Sequence, residues 1–222
     1  MNNHELPTNM QTGAVPPQLN HGGHELFDVH ETLAGSINVM DQFMMFRQYV
    51  KEQEPLDIID RQYQFILNEY NLIVEAFSTG QKPAGSTHVY NMKQSHTFVY
   101  GLKPSRPKKP NQSVEEINEK GISGHMLGLV KSQASLLTMT ALEITNPVVR
   151  RIFGDSVPNW IEMAYEISLY QNKHHYYQVP RLAKEDMRQM ITSFAKATAS
   201  PQMPNNHKVA LITKRLGQTY FN

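Results

Sequence analysis

The chain has 222 residues, 40% of them hydrophobic, and a formal net charge of +1. That is enough apolar material for a real core, and the near-zero charge supplies no global field to steer the protein to nucleic acid or anionic membrane. The absence of cysteine excludes a disulfide framework, thiolate metal sites and a cysteine nucleophile. Protonating all ten histidines would add ten positive charges, so self-association can respond to acid.

Residues 1–22 are polar and carry Pro16-Pro17 and Gly22. They cannot bury enough apolar surface to fold alone and read as a disordered arm. They lack the basic and apolar regions of a Sec signal, which implies synthesis in the cytoplasm without a signal peptide. No run of about 20 apolar residues is present to span a membrane.

From His24 the apolar residues Leu26, Val29, Leu33, Ile37, Met40 and Met44 predict a first helix running to about Gln53. Pro55 sits in the first turn of a second helix. Its stripe is Leu56, Ile59, Tyr63, Ile66, Tyr70, Ile73 and Phe77, and Gly80 and Pro83 end it.

Residues 80–121 are proline-rich and show no helical stripe. Such a connection is far longer than the roughly 2–8 residues that join bundle helices. It is long enough to run the length of a bundle. His96-Thr97-Phe98-Val99-Tyr100 has strand-like composition and can lie flat on the helices. Ser113 and Glu116 resemble a capping box, which predicts a short helix before Gly121.

The stretch 124–177 carries two further stripes. Leu127, Val130, Ala134, Leu137, Ala141 and Ile144 mark one helix. Phe153, Val157, Trp160, Ala164, Ile167 and His174 mark the next. Between them Asn146 fits an N-cap and Pro147 the first helical position. Pro158 predicts a kink near 154–158.

Beyond 180, Leu182, Met187, Met190, Ile191 and Phe194 form a weak amphipathic pattern. Pro201, Pro204 and the apolar run 209–212 follow. Gly23-His24-Glu25-Leu26 echoes Gly124-His125-Met126-Leu127, and each opens a helix followed by a proline-started partner. The expectation is an all-α, ferritin-like four-helix bundle with a long crossover between helices two and three. Residues 1–22 form the arm, 23–180 the bundle (hairpins 24–79 and 122–177, crossover 80–121), and 181–222 an extension with a short helix.

A ferritin-like bundle raises the question of a di-iron site, which needs Glu-x-x-His on two helices. Glu69, Glu75, Glu143, Glu162 and Glu166 are each followed, three residues on, by something other than histidine. His21 and His24 are three apart but lie outside the predicted core. His30 and Asp41 lie near the first stripe, either as a buried polar pair or small metal site, or as ordinary hydrogen-bonded core groups. His174-His175-Tyr176-Tyr177 reads either as a metal or cross-linking site or as a helix end that complements the dipole. Lys103, Arg106, Lys108 and Lys109 stand among Pro104, Pro107 and Pro110, either as a basic polyproline ligand or as a solvated, stiff crossover. No phosphate-binding glycine loop, nucleophile elbow or zinc signature is present. The sequence assigns no catalytic, cofactor-binding or metal residue.

The run 141–180, with Thr145-Asn146-Pro147 at its break and Tyr176-Tyr177 before Val179-Pro180 at its end, is similar to the hallmark of the spore coat protein F (Coat F) family of endospore-forming bacteria. The resemblance covers about 122–180. The stretches around Asn20–Glu31 and Val99–Pro110 also resemble the longer, two-hairpin members of the group. It implies a non-enzymatic structural protein of the endospore and its coat. Its partners would be other coat proteins or further copies of itself, with no membrane or cofactor and with nucleic acid disfavoured. Two rivals remain: a ferritin-like metal-binding oxidoreductase, and a partner- or nucleic-acid-binding module built on the basic crossover.

Overall fold

A computed structural model describes residues 21–197 of the chain. Four long helices dominate: α1 (Gly23–Arg47), α2 (Gln53–Thr79), α3 (Glu119–Glu143) and α4 (Pro147–Lys173). A 3-10 turn, Val114–Glu116, precedes α3, and a short helix α5 (Lys184–Ile191) follows α4. The chain divides into two units between Pro180 and Arg181. In the first, α3 packs on α4, α1 on α3, α1 on α2, and α2 on α4. The fold is therefore all-α, a bundle in which each long helix has two neighbours.

The helix ends follow local chemistry. The Asn146 side chain accepts from the Val148 and Val149 amides at 2.9 and 3.2 Å, as an N-cap should. Its own amide donates to the Gly80 carbonyl at 3.1 Å. Gly80, at φ 66°, closes α2 in the left-handed conformation. One asparagine thus ties the end of the first hairpin to the break in the second. At Ser113 the expected capping box does not form. Its side chain makes no cap bond, and Glu116 instead accepts from the Gln112 amide at 3.0 Å.

The α1 stripe needs correction. Val29 and Met40 are buried, but Leu26, Ile37 and Met44 are 44%, 42% and 58% exposed. The core face is Glu25, Val29, Thr32, Ser36, Val39, Met40 and Phe43. Polar residues occupy it because α3 offers them partners. The Thr32 and Thr140 hydroxyls pair at 2.8 Å. Gln133 Nε2 donates to the Thr32 carbonyl at 2.8 Å and to Ser36 Oγ at 3.0 Å. A scan for apolar periodicity places α1 about a quarter-turn off for that reason. α1 also ends at Arg47, short of Gln53. The stripes of α3 and α4 stand better: Leu127, Val130, Leu137, Ile144, Phe153, Trp160, Ala164 and Ile167 are all buried. α4 continues as helix through Pro158.

The 80–118 connection runs along α4. Thr87 reaches Asp155, Tyr90 reaches Asn159, the Lys93 amide reaches Glu166 and Val99 reaches Asn172. Phe98 stacks on Tyr165. The strand-like pentapeptide yields one isolated parallel bridge, Tyr100 with Val179. In the second unit, α5 buries none of its residues. The run 209–212 and Pro201 and Pro204 lie outside the described residues.

Two glycines test how tightly α1 and α3 approach. A Cβ on Gly35 would lie 2.3 Å from Gln133 Oε1, and the Gln133 amide is held by Thr32 and Ser36. A Cβ on Gly128, in mid-α3, would meet nothing within 4 Å. Helix propensity alone favours alanine over glycine by about 0.8–1 kcal/mol. Gly128→Ala is expected to stabilise by up to that amount. Gly35→Ala should instead destabilise, by about 1–2 kcal/mol, through displaced buried hydrogen bonds. Urea unfolding of both variants checks the opposite signs.

Candidate functional site: the buried carboxylates of the bundle seams

Among the described residues three glutamates enter the interior, and each joins parts of the chain that are distant in sequence. Glu166, on α4, is fully buried. Its Oε1 accepts from Arg61 Nη2 and from the Lys93 amide. Its Oε2 accepts from the Tyr90 hydroxyl and from Gln62 Nε2. A carboxylate has about four lone-pair sites, so these donors saturate it. Arg61 supplies the compensating charge and also reaches the Tyr90 hydroxyl at 3.1 Å. Burial, reinforced by the adjacent Glu166 carboxylate, pushes the Tyr90 hydroxyl well above its usual range. Tyr90 therefore stays a protonated donor.

Glu69, on α2, lies one layer along the same seam. It accepts from Asn159 Nδ2 at 2.8 Å and from Trp160 Nε1 at 2.9 Å. Ser156 also faces it. These partners are all neutral, and burial pushes the carboxyl up to about 7. Gln62 with Glu69 on α2, and Asn159 with Glu166 on α4, are both spaced by seven residues. The pairs Gln62–Glu166 and Glu69–Asn159 therefore run in antiparallel register.

Glu25, on α1, serves the opposite end. It accepts from the Thr145 hydroxyl and from the amides of Thr145 and Asn146, at 2.9 and 3.2 Å for the amides. His21 Nδ1 lies 2.7 Å away, and His21 Nε2 sits 2.9 Å from the Phe77 carbonyl. Burial raises the Glu25 carboxyl, but this set of donors outweighs it and holds the group below its usual range. The Thr-Asn-Pro break is thus a donor platform for a carboxylate from another helix.

Of the residues singled out from sequence, His21 is the surprise. It lies in the Glu25 cluster with its side chain 6% exposed. His24 is exposed. His30 and Asp41 are exposed too, so they form no buried pair. His174 packs against the Tyr170 and Tyr176 rings at 4.6 and 5.5 Å and lies 3.5 Å from Glu54. Lys103, Arg106, Lys108 and Lys109 are exposed. Among the described residues, no group of three or more His, Asp or Glu is placed to hold a metal. The buried carboxylates are already engaged by protein donors. The arrangement does structural work: it sets register and pins the crossover. The sequence signal for it was polar residues at heptad spacing within apolar stripes, which a search for Glu-x-x-His passes over.

The comparisons with known proteins agree with a helical structural protein. The Coat F domain matches residues 118–180, which hold α3, the break and α4. The spore coat protein F-like protein YhcQ of Bacillus subtilis (strain 168) is 54% identical over 183 residues, covering 82% of this chain and 83% of that protein. The chain belongs to the Coat F family. A crystal structure of a Bacillus halodurans C-125 protein, provisionally described as a spore coat protein, aligns with a TM-score of 0.55 at 15% identity. It covers 76% of this chain and 99% of that one, and at this identity it shows a shared fold alone.

Glu69 gives a pH test. Its raised folded-state value means the bundle favours the protonated form. Stability from this group is full below about pH 4.5 and is lost as pH rises to about 7. Glu69→Gln removes that titration but leaves one donor facing its amide, so the variant should be the less stable protein at pH 5. The gap to the parent should close by roughly 2–3 kcal/mol by pH 8. Urea midpoints at the two pH values measure it; a constant gap would contradict the assignment.

Proposed function

We propose that the protein is a structural component of the bacterial endospore, contributing to assembly of the coat through helical-bundle packing. The carrying observation is the 54% identity to a spore coat protein F-like protein across most of both chains. The role is structural, not catalytic. The oxidoreductase alternative is unsupported: the chain has no cysteine, and among the described residues no cluster is placed to hold a metal. No helix among them is long and apolar enough to cross a membrane.

The finer reading is a ferritin-like bundle of the longer, two-hairpin kind. Its support is the pairing of α1 with α2 and of α3 with α4, with the long connection laid along α4. The bundle spans 23–180, with His21 and Gly22 joined to it through Glu25 and Thr145, and 181–222 is an extension. Its partners are other coat proteins or further copies. Apolar side chains on the outer surface fit that use: Phe27 and Leu142 are 76% and 82% exposed, near the end where Glu25 meets Thr145.

A fluorescent fusion followed through sporulation, with fractionation of purified spores, tests this. Signal should appear only in sporulating cells and remain with the coat fraction. Signal confined to vegetative cells would end the proposal.

A further inference from the structure

Residues 103–110 read Lys-Pro-Ser-Arg-Pro-Lys-Lys-Pro. Proline recurs at every third position, and a cation precedes each one: Lys103, Arg106 and Lys109. A polyproline II helix has three residues per turn. In that conformation Pro104, Pro107 and Pro110 share one edge. The three cations share another, spaced about 9 Å apart at its rise of 3.1 Å per residue. The local chemistry favours this conformation before any contact forms. Each proline ring fixes its own φ, and the residue before a proline is driven to extended backbone. Six of the eight residues are biased in this way.

The structure holds the segment out at both ends. Gln178 clamps Lys103 through its backbone: its Oε1 accepts from the Lys103 amide, and its Nε2 donates to the Lys103 carbonyl at 3.2 Å. The Gly101 amide donates to the Val179 carbonyl at 2.8 Å. At the far end the Gln112 amide is fixed to Glu116, beside the 3-10 turn. Between these anchors, residues 102–112 carry neither helix nor bridge, and every one is exposed. Leu102, at the start, is 68% exposed. Three hydrogen bonds from Gln178 and Val179 fix the near end, a local bond to Glu116 shapes the far end, and the segment between adds nothing to the core.

We propose that residues 103–110 are a polyproline ridge that docks in an acidic, aromatic-lined groove of a partner protein. Aromatic grooves receive the proline edge, as they do in polyproline recognition generally. Carboxylates along the groove complement Arg106 and Lys109. Tethering at both ends lowers the ordering cost of binding. A protein is the favoured occupant over nucleic acid. Residues 102–112 have no aromatic side chain to stack on a base, and the chain has no net basic field beyond its +1 charge.

The test uses the full-length chain and two immobilised probes: an SH3-type domain with an acidic specificity pocket, and a short DNA duplex. One variant carries Pro104→Gly, Pro107→Gly and Pro110→Gly and keeps every charge. A second carries Lys103→Glu, Arg106→Glu and Lys109→Glu and keeps every proline. A third, Arg106→Gln, is the mildest change. Thermal melts establish that each variant retains the bundle. The parent should bind the SH3-type groove. The glycine and charge-reversal variants should each bind it at least about tenfold more weakly, and Arg106→Gln should be intermediate. Undiminished binding by the glycine variant would overturn the proposal, because charge alone would then suffice. So would a parent that ignores the groove, or one that prefers the duplex. None of these outcomes depends on where in the spore the protein resides.

Discussion

A carboxylate with no exposed surface is a costly thing to place in a helical bundle, and Glu166 is tolerated only because four donors converge on it. Two come from α2, through Arg61 and Gln62. Two come from the connection, through Tyr90 and the Lys93 amide. Removing one partner of such a group leaves a buried charge uncompensated, which typically costs about 3–5 kcal/mol. The chain therefore reaches its stable state only when α4 lies against α2 in one register and the connection lies against α4. Apolar stripes alone would accept sliding by a turn; this set of donors does not.

The same logic recurs along the connection, where amide side chains substitute for a neighbouring strand. Asn159 accepts from the Tyr90 amide and donates to the His88 carbonyl. Asn172 accepts from the Val99 amide at 2.6 Å and donates to its carbonyl at 3.0 Å. Gln178 treats Lys103 likewise. An irregular segment lying against a helix cannot share the helix's own backbone groups, so its amides and carbonyls need partners from elsewhere. Asparagine and glutamine, which donate and accept at once, meet that need with one residue per clamp. The clamps also explain why a strand-like pentapeptide forms almost no sheet.

Much of this was legible in the sequence. Helix number, the Asn146-Pro147 start, the Gly80 stop and the reach of the long connection follow from capping chemistry and spacing. The Thr-Asn-Pro break also carried the family resemblance. What could not be read was the rotation of α1. Its core face holds Glu25, Thr32 and Ser36 because Thr145, Thr140 and Gln133 lie opposite. No single-helix pattern contains that information. His21 was placed in the arm for a related reason: its partners, Glu25 and the Phe77 carbonyl, include one more than fifty residues away. Polar residues at core positions do not reveal a helix's rotation until their partners are known.

For a protein that serves by packing, a single register matters more than a reactive group. A bundle whose helices could slide would present variable outer faces and would not repeat in a layer. Hydrogen exchange gives the most direct test of that claim. In Glu166→Gln, amides of the connection between residues 90 and 99 should exchange at least about tenfold faster than in the parent, while those near Thr32 and Thr140 in the α1–α3 seam change far less. Equal protection of the connection in the two proteins would contradict the account.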